Sequence, residues 1–447
     1  MPDRIDAHFA PARPPAGDLR APPDKSISHR AALLGAFGEG DTRISRYLDS
    51  ADTRSTLAAV ESLGAGVTAQ PDGPGSLEVA VTGFGLRGAA APGRPIDVGN
   101  AGTLIRLLTG LLAGQEGRSF VLDGDASIRS RPMGRIAEPL RQMGASVETA
   151  DRGVPPLAIS GRRLRAIHYE LPVASAQVKS CLLLAGLLAD GRTTVRELAE
   201  TRDHSERMLR AAGADVRIER ERPSLPTDPV AGTIGISPAA AIALPAMTVP
   251  GDLSSAAFHL VAGLIVPGGD VRLTGVGINP TRVGLLGILN RMGADLEVVE
   301  AGSEGGEPVG TLRARGCDLQ ATQVGAADVA MAIDELPLVG LLGCFADGTT
   351  TVTGAAELRH KESDRIAGVV DALNALGGEA RALSDGFAVT GTGGLRGGEM
   401  DSRGDHRLAM LGAVAGLASR EGVTVRGFGA ARVSYPGFES DLRSLLG

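Results

Sequence analysis

The sequence predicts an α/β protein of two similar domains, each built from three inverse αβ repeat units with buried parallel helices and outer sheets. Three observations predict it. Six apolar runs of helical length each end in glycine and pass at once into a β-branched stretch. A second glycine phrase recurs between them, and both features return at intervals of about 75 residues, the mark of a repeat architecture.

The six runs are "HRAALLGAFGEGDTRIS", "GTLIRLLTGLLAGQEGRSFVL", "QVKSCLLLAGLLADGRTTV", "SSAAFHLVAGLIVPGGDVRL", "ELPLVGLLGCFADGTTTV" and "HRLAMLGAVAGLASREGVTV", with turn glycines Gly40, Gly117, Gly191, Gly269, Gly348 and Gly422. The second phrase reads "SLGAGV", "QMGASV", "AAGADV", "RMGADL" and "ALGGEA", and the chain closes on "SLLG". Each phrase puts glycine just past an amphipathic helix, where a C′ residue with φ > 0 ends the helix and a strand follows. One unit therefore reads strand, buried helix, strand, amphipathic helix, strand. A single unit leaves apolar surface bare, and two sets of three let the apolar helices pack together. The hinges fall near Pro23 to Asp24 and Val249 to Gly251, giving a first domain of 1–23 plus 250–447 and a second of 24–249. The opening "MPDRIDAHFAPARPPAG" lacks the apolar core of a signal peptide and reads as a frayed tail.

Composition narrows the function. Hydrophobic residues at 43% and charged residues at 22% suit an ordinary globular protein, and no apolar stretch approaches the length of a membrane span. A net charge of −7 argues against a nucleic-acid partner. Cys181, Cys317 and Cys344 form no CxxC pair and read as structural. There is no GxxxxGK[ST] loop, no GxGxxG opening a helix and no His pair at metal spacing.

The entrances to the six apolar helices carry the functional signal. They read "DKSISHR" (24–30), "GNAGT" (99–103), "SAQVKS" (175–180), "GDLSSA" (251–256), "IDELP" (333–337) and "GDHR" (404–407). Ser, Asp and Asn there suit N-caps. Caps do not call for Lys25, Arg30, Lys179 or Arg407, because a cation at a helix N-terminus opposes the macrodipole. An anionic ligand removes that conflict. If the entrances face one cleft between the domains, they surround such a ligand. Two loops add cations: "SIRSRPMGR" holds Arg129, Arg131 and Arg135, and "ELRHKESDR" holds Arg359, Lys361 and Arg365. So many guanidinium groups suggest two separate anions. Asp334 and Glu362 lie among these cations, where a pure anion binder gains nothing from negative charge, and they suit a base and an acid. Asp334 as a helix cap and the second loop as a solvated helix face are the plain structural alternatives.

Together "DKSISHR", "GNAGT", "RPMGR", "ASAQVKS", "TRDHSERM", "IDELP", "HKESDR", "GDHRLAM" and "YPGFESDL" resemble the 5-enolpyruvylshikimate-3-phosphate synthase family, in order over nearly the whole chain. The resemblance implies that family's two-domain fold. It implies enolpyruvyl transfer from phosphoenolpyruvate to the 5-hydroxyl of shikimate 3-phosphate with release of phosphate, in a cytoplasmic monomer that needs no metal or organic cofactor and is a glyphosate target. It assigns shikimate 3-phosphate to Lys25, Ser26, Arg30, Ser175, Gln177, Arg202, Asp334 and Lys361. Phosphoenolpyruvate falls to Lys25, Gly102, Arg131, Gln177, Arg365 and Arg407. Asp334 becomes the base at the hydroxyl, and Glu362 with Lys25 handles the proton at the enol methylene. Two positions depart from the common pattern, Ala176 where many members have Ser and Val433 where many have Lys, and the resemblance carries no contact over to either. The sister family that uses UDP-N-acetylglucosamine has a Lys-Asn pair and a loop cysteine. Here Lys25 precedes Ser26 and residues 124–135 hold no cysteine. A non-catalytic binder on this scaffold has no need of Asp334, Glu362 and Lys25 together.

Overall fold

The computed structural model of the protein describes residues 5–11, 13–222 and 229–447. The chain divides into two compact units. Residues up to Pro22, Pro250–Ser303 and Pro308–Gly447 form the first, and Pro23–Val249 with Glu304–Glu307 form the second.

Each unit is organised around three apolar helices: Lys25–Ala36, Gly102–Ala113 and Ala176–Gly186 in the second, Leu253–Ile265, Leu336–Gly343 and His406–Ala418 in the first. Leu253–Ile265 and Leu336–Gly343 are buried at every position. A helix apolar all round has to be enclosed. Close packing is visible at Gly110, where a Cβ would fall 2.3 Å from the Cys181 carbonyl oxygen, so glycine lets the helices Gly102–Ala113 and Ala176–Gly186 approach. The shorter helices between them, such as Gly134–Gln142 and Gly284–Arg291, bury one face. Their C′ glycines Gly64, Gly144, Gly213, Gly293 and Gly377 all have positive φ. The turn glycines follow less uniformly: Gly40, Gly117, Gly348 and Gly422 have positive φ, Gly191 does not, and in the fourth repeat Gly268 takes the role expected of Gly269.

The repeat holds one strand more than the sequence pattern suggests. In the second repeat Ile96–Asp97 runs parallel to Ser119–Asp123, which pairs antiparallel with Val154–Ser160, and that strand pairs with Ser146–Ala150. The strand after the amphipathic helix thus turns back as a hairpin, and its return arm takes the central place. Four-stranded sheets of this order recur in the first five repeats. Two of them borrow a strand from a distant part of the chain. Met247–Thr248 completes the first repeat beside Asp41–Leu48, and Ala16–Arg20 completes the fourth beside Asp270–Gly277. Over its described residues the N-terminal stretch is therefore no frayed tail, and residues 1–4 and 12 lie outside them. Ala7–Phe9 pairs with Val423–Arg426 in the sixth sheet, and Phe9 is buried against Phe428.

Among the described residues no helix is long and apolar enough to cross a membrane. Cys181 and Cys344 are buried and Cys317 half-buried, all three free.

Candidate active site

In the second unit the helix Lys25–Ala36 is capped by Asp24, whose side chain accepts from Ile27 N at 2.8 Å. Cap and alternating small residues place Lys25 and Ser26 in the first turn and Arg30 one turn on. Lys25 Nζ lies 3.2 Å from Asp52 Oδ2. Arg30 is buried, and its guanidinium donates to Ser205 Oγ (2.7 Å), Ser180 Oγ (3.0 Å) and the Ser26 carbonyl (3.0 Å). Burial pushes the Arg30 pKa down to about 10; Glu206 and Asp24 oppose this, and the charge of Arg202 adds to it. Arg30 stays charged at neutral pH, close enough to Arg202 to feel its charge. An anion between them relieves that repulsion.

The entrance at Gly102–Ala113 has no side-chain cap, since Ala101 holds the N-cap position. Arg131 donates to Asn100 Oδ1 (3.0 Å) and Ser127 Oγ (3.2 Å). Gln177 accepts from Arg106 at 2.7 Å and donates to Thr103 at 3.0 Å, while Arg106 also reaches the Gly102 carbonyl. Gly102, Arg131 and Gln177 thus form one cluster. A Cβ on Gly102 would lie 2.6 Å from Arg131 Nη1 and 3.0 Å from Arg106 Nη1. The space next to Gly102 is thus filled by guanidinium groups and is not empty room for a ligand. Ser175 caps the helix Ala176–Gly186, accepting from Val178 N at 3.4 Å.

In the first unit cations and carboxylates interlock. Asp334 Oδ1 lies 3.4 Å from Arg365 Nη1 and 3.6 Å from Lys361 Nζ, with Arg407 Nη2 3.9 Å from Oδ2. Arg407 also donates to the Asp334 carbonyl oxygen at 3.0 Å. Glu362 pairs with Arg365 at 2.6 Å. Asp405, wholly buried, accepts from Arg365 Nε at 2.8 Å and caps the helix His406–Ala418 through Arg407 N at 2.9 Å. Burial favours the neutral form of Asp405, but Arg365 outweighs it and holds the carboxyl below its ordinary range. Arg365 is buried too, yet Asp405, Glu362 and Asp334 push its pKa above the ordinary arginine value.

The plain structural alternatives for these residues do not hold. Asp334 is not the cap of the following helix: Glu335 occupies that position, and its side chain makes no cap bond. Residues 357–365 form no helix face. A 3-10 turn over Ala356–His360 gives way to bends, and the helix starts at Arg365, capped by Asp364.

Two cation sites differ from the sequence-based picture. Lys179 does not face a ligand: its side chain is wholly buried between Glu206 (2.7 Å) and Glu197 (3.0 Å). Burial alone would lower its pKa, and the two carboxylates more than compensate, holding the ammonium above the ordinary lysine value. The "GDLSSA" entrance is closed by Arg282, which pairs with Asp252 at 3.0 Å and donates to Ser254 Oγ at 2.8 Å. Sequence reasoning also passed over Arg106 and Asp405. Arg106 had a signal, as a cation one turn past Gly102 in an apolar helix. Asp405 lay inside "GDHR" and looked like nothing more than a cap.

A family model described as EPSP synthase (3-phosphoshikimate 1-carboxyvinyltransferase) matches residues 10–442. The chain is 46% identical over 439 residues to the 3-phosphoshikimate 1-carboxyvinyltransferase of Synechococcus sp. (strain JA-3-3Ab), covering 98% of this chain and 96% of the relative. It is 45% identical over 430 residues to that of Methylococcus capsulatus, covering 96% and 94%. The solved EPSP synthase of Acinetobacter baumannii superposes with a TM-score of 0.82 at 40% identity, over 98% of this chain and 97% of that one. The enolpyruvyl transferase NikO of Streptomyces tendae shares the fold at 18% identity, with a TM-score of 0.71 over 98% and 96% of the two chains. With a family model matched over nearly its whole length, and relatives close to half identical, the chain belongs to the EPSP synthase family.

Proposed function

We propose the residue roles by which this chain transfers the enolpyruvyl group of phosphoenolpyruvate to the 5-hydroxyl of shikimate 3-phosphate, releasing phosphate. The second unit holds the shikimate phosphate through Ser26, Arg30, Ser175 and Arg202, with Gln177 and Lys361 on the ring. Lys25, Gly102, Arg131, Arg365 and Arg407 take phosphoenolpyruvate. Protonation of the enol methylene by Glu362, with Lys25, leaves an oxocarbenium-like carbon. The 5-hydroxyl adds to it as Asp334 accepts the hydroxyl proton. The tetrahedral adduct then loses phosphate and a methyl proton, which restores the enol ether. The arginines stabilise the charge that develops on the phosphate.

The observation that carries the reading is the lattice around Asp334. Three cations stand within 4 Å of one half-buried carboxylate, and a second carboxylate shares Arg365. A static scaffold gains little from so many charges at a partly exposed position, whereas an acid–base pair among anion ligands needs them. Three free cysteines support a reducing, cytoplasmic compartment. The test is phosphate release from the purified protein with phosphoenolpyruvate and shikimate 3-phosphate, against UDP-N-acetylglucosamine as acceptor. Release that depends on shikimate 3-phosphate is expected, and release with only the nucleotide sugar would refute the reading.

A further inference from the structure

Lys179 sits one turn inside the helix Ala176–Gly186, behind Ser175 and Gln177, and its side chain is fully buried. An ammonium has three N–H donors. Here the nitrogen stands at ion-pair distance from Glu206 Oε1 (2.7 Å) and Glu197 Oε2 (3.0 Å), and one N–H donates to the carbonyl oxygen of Thr201 (3.3 Å). Those acceptors are not scattered. Glu197 ends the strand Thr193–Glu197, Glu206 lies in the first turn of the helix His204–Ala211, and Thr201 belongs to the loop between them. The Thr201 hydroxyl donates to Glu197 as well, at 2.7 Å, and Arg220 pairs with the other oxygen of Glu197 at 2.6 Å. The residue after Thr201 is Arg202.

A cation buried between two carboxylates is a costly way to fill a core, since apolar residues of similar volume stabilise as well or better. What the trio supplies in exchange is fixed position: strand end, loop carbonyl and helix start converge on one nitrogen. The same helix sends Ser180 to Arg30 at 3.0 Å, so the two cations of the shikimate-phosphate site are set from one scaffold.

We infer that Lys179 is a positioning residue for shikimate 3-phosphate: it touches no substrate and fixes the loop that presents Arg202. The inference rests on the reading of Arg202 as a ligand of the shikimate phosphate.

The test is the paired substitution Lys179→Met with Glu206→Gln. It removes one charge of each sign and leaves Glu197 paired with Arg220, whereas Lys179→Met alone would strand a buried carboxylate. Three measurements go together: amide hydrogen exchange over residues 198–203, calorimetric affinity for shikimate 3-phosphate alone, and the KM for phosphoenolpyruvate at saturating shikimate 3-phosphate. Exchange in the loop should rise, and the dissociation constant of shikimate 3-phosphate should rise at least about tenfold, as for loss of one charge-assisted contact. The phosphoenolpyruvate KM should move less than about threefold. Thr201→Val, which keeps every charge and removes only the hydroxyl bond to Glu197, should give a smaller rise of the same kind. Unchanged loop exchange, or equal weakening of both substrates, would overturn the inference. Arg202→Ala tests the underlying reading on its own: parental affinity for shikimate 3-phosphate in that variant would remove Arg202 from the site whatever Lys179 does.

Discussion

The two units hold their cations in opposite ways. In the second, Arg30, Arg106 and Arg131 donate to hydroxyl, amide and carbonyl oxygens, while Lys25 lies 3.2 Å from the Asp52 carboxylate. In the first, Arg365 is bound to Asp405, Glu362 and Asp334, and Lys361 and Arg407 lean on Asp334. Neutral oxygens orient a guanidinium without cancelling its charge, so the second unit presents preformed positive charge to an anion. Carboxylates both orient and neutralise, so an anion entering the first unit must compete with groups already there. One unit is arranged to bind, the other to exchange partners.

The largest effect expected from this contrast is on stability. Asp405→Asn takes the main partner from a guanidinium that is 1% exposed, and breaking such a pair costs about 3–5 kcal/mol. The folded-state pKa of Asp405 lies below its unfolded value. Its stabilisation is thus complete above the usual carboxylate range and is lost as pH falls through the depressed value. Thermal midpoints from pH 7 down to pH 3 should fall in the parent and fall less steeply in the variant. A variant that melts at the parental temperature at pH 7 would mean that Glu362 and Asp334 suffice to hold Arg365.

Next come the carboxylates assigned to chemistry. Asp334→Asn and Glu362→Gln should each lower turnover about a hundredfold or more, with shikimate 3-phosphate affinity, proposed to rest mainly on Ser26, Arg30, Ser175 and Arg202, little changed. Near-normal turnover in both would leave the first unit as a scaffold of ion pairs and end the contrast drawn here.

Each core also encloses a neutral histidine, His29 in the second unit and His259 in the first, with a pKa lowered to about 3. Burial is the main cause for both, and Lys25 and Arg30 add to it at His29. Below the unfolded value near 6.5 the unfolded chain takes up protons that the folded one refuses. Each histidine therefore removes about 1.4 kcal/mol of stability per pH unit as pH falls from 6.5 towards 3. Denaturant midpoints at pH 7.5 and 5.5 should differ accordingly, and equal midpoints would show that one or both rings take up a proton in the fold.

The smallest predicted effect comes from crowding Arg131 and its neighbour Arg106. Gly102→Ala should displace the guanidinium groups of Arg131 and Arg106 and raise the phosphoenolpyruvate KM about tenfold, as for one weakened charge-assisted bond. Glyphosate, brought to the same arginines by the family resemblance, should lose more affinity, because the displaced guanidinium groups leave less room for the longer ligand. Inhibition constants at matched phosphoenolpyruvate decide this, and equal constants in the two proteins would show that Gly102 does not set inhibitor affinity.

Much of the fold could be read from the sequence because its signals are local. A C′ glycine after an amphipathic helix needs no knowledge of distant residues, and all five of the recurring glycines sit in the left-handed region. The extra strand was missed for the opposite reason. Which arm of a hairpin takes the centre of a sheet, and that Met247–Thr248 pairs with a strand some two hundred residues earlier, depend on partners the period does not name. The site follows the same division. Arg30 stood out because a cation at an apolar helix entrance conflicts with the helix dipole, and Asp334 and Glu362 because carboxylates among anion-binding cations add nothing to binding. Lys179 gave the same signal with another resolution, since a lysine looks alike in sequence whether its anion is a ligand or a pair of glutamates on later segments.

The borrowed strands bear on the order in which the chain is made. Pro23–Val249 carries nearly all of the second unit and leaves the ribosome before most of the first exists. Residues 16–20 emerge earlier still, yet their partners are residues 270–274, and those of Ala7–Phe9 are Val423–Val425. These two strands are thus made long before their partners, and they wait as unsatisfied edges while most of the second unit is completed. Glycine and proline in "APARPPAG", just before and at the start of Ala16–Arg20, and the charged Asp18 and Arg20 within it keep that waiting segment a poor template for other chains during synthesis.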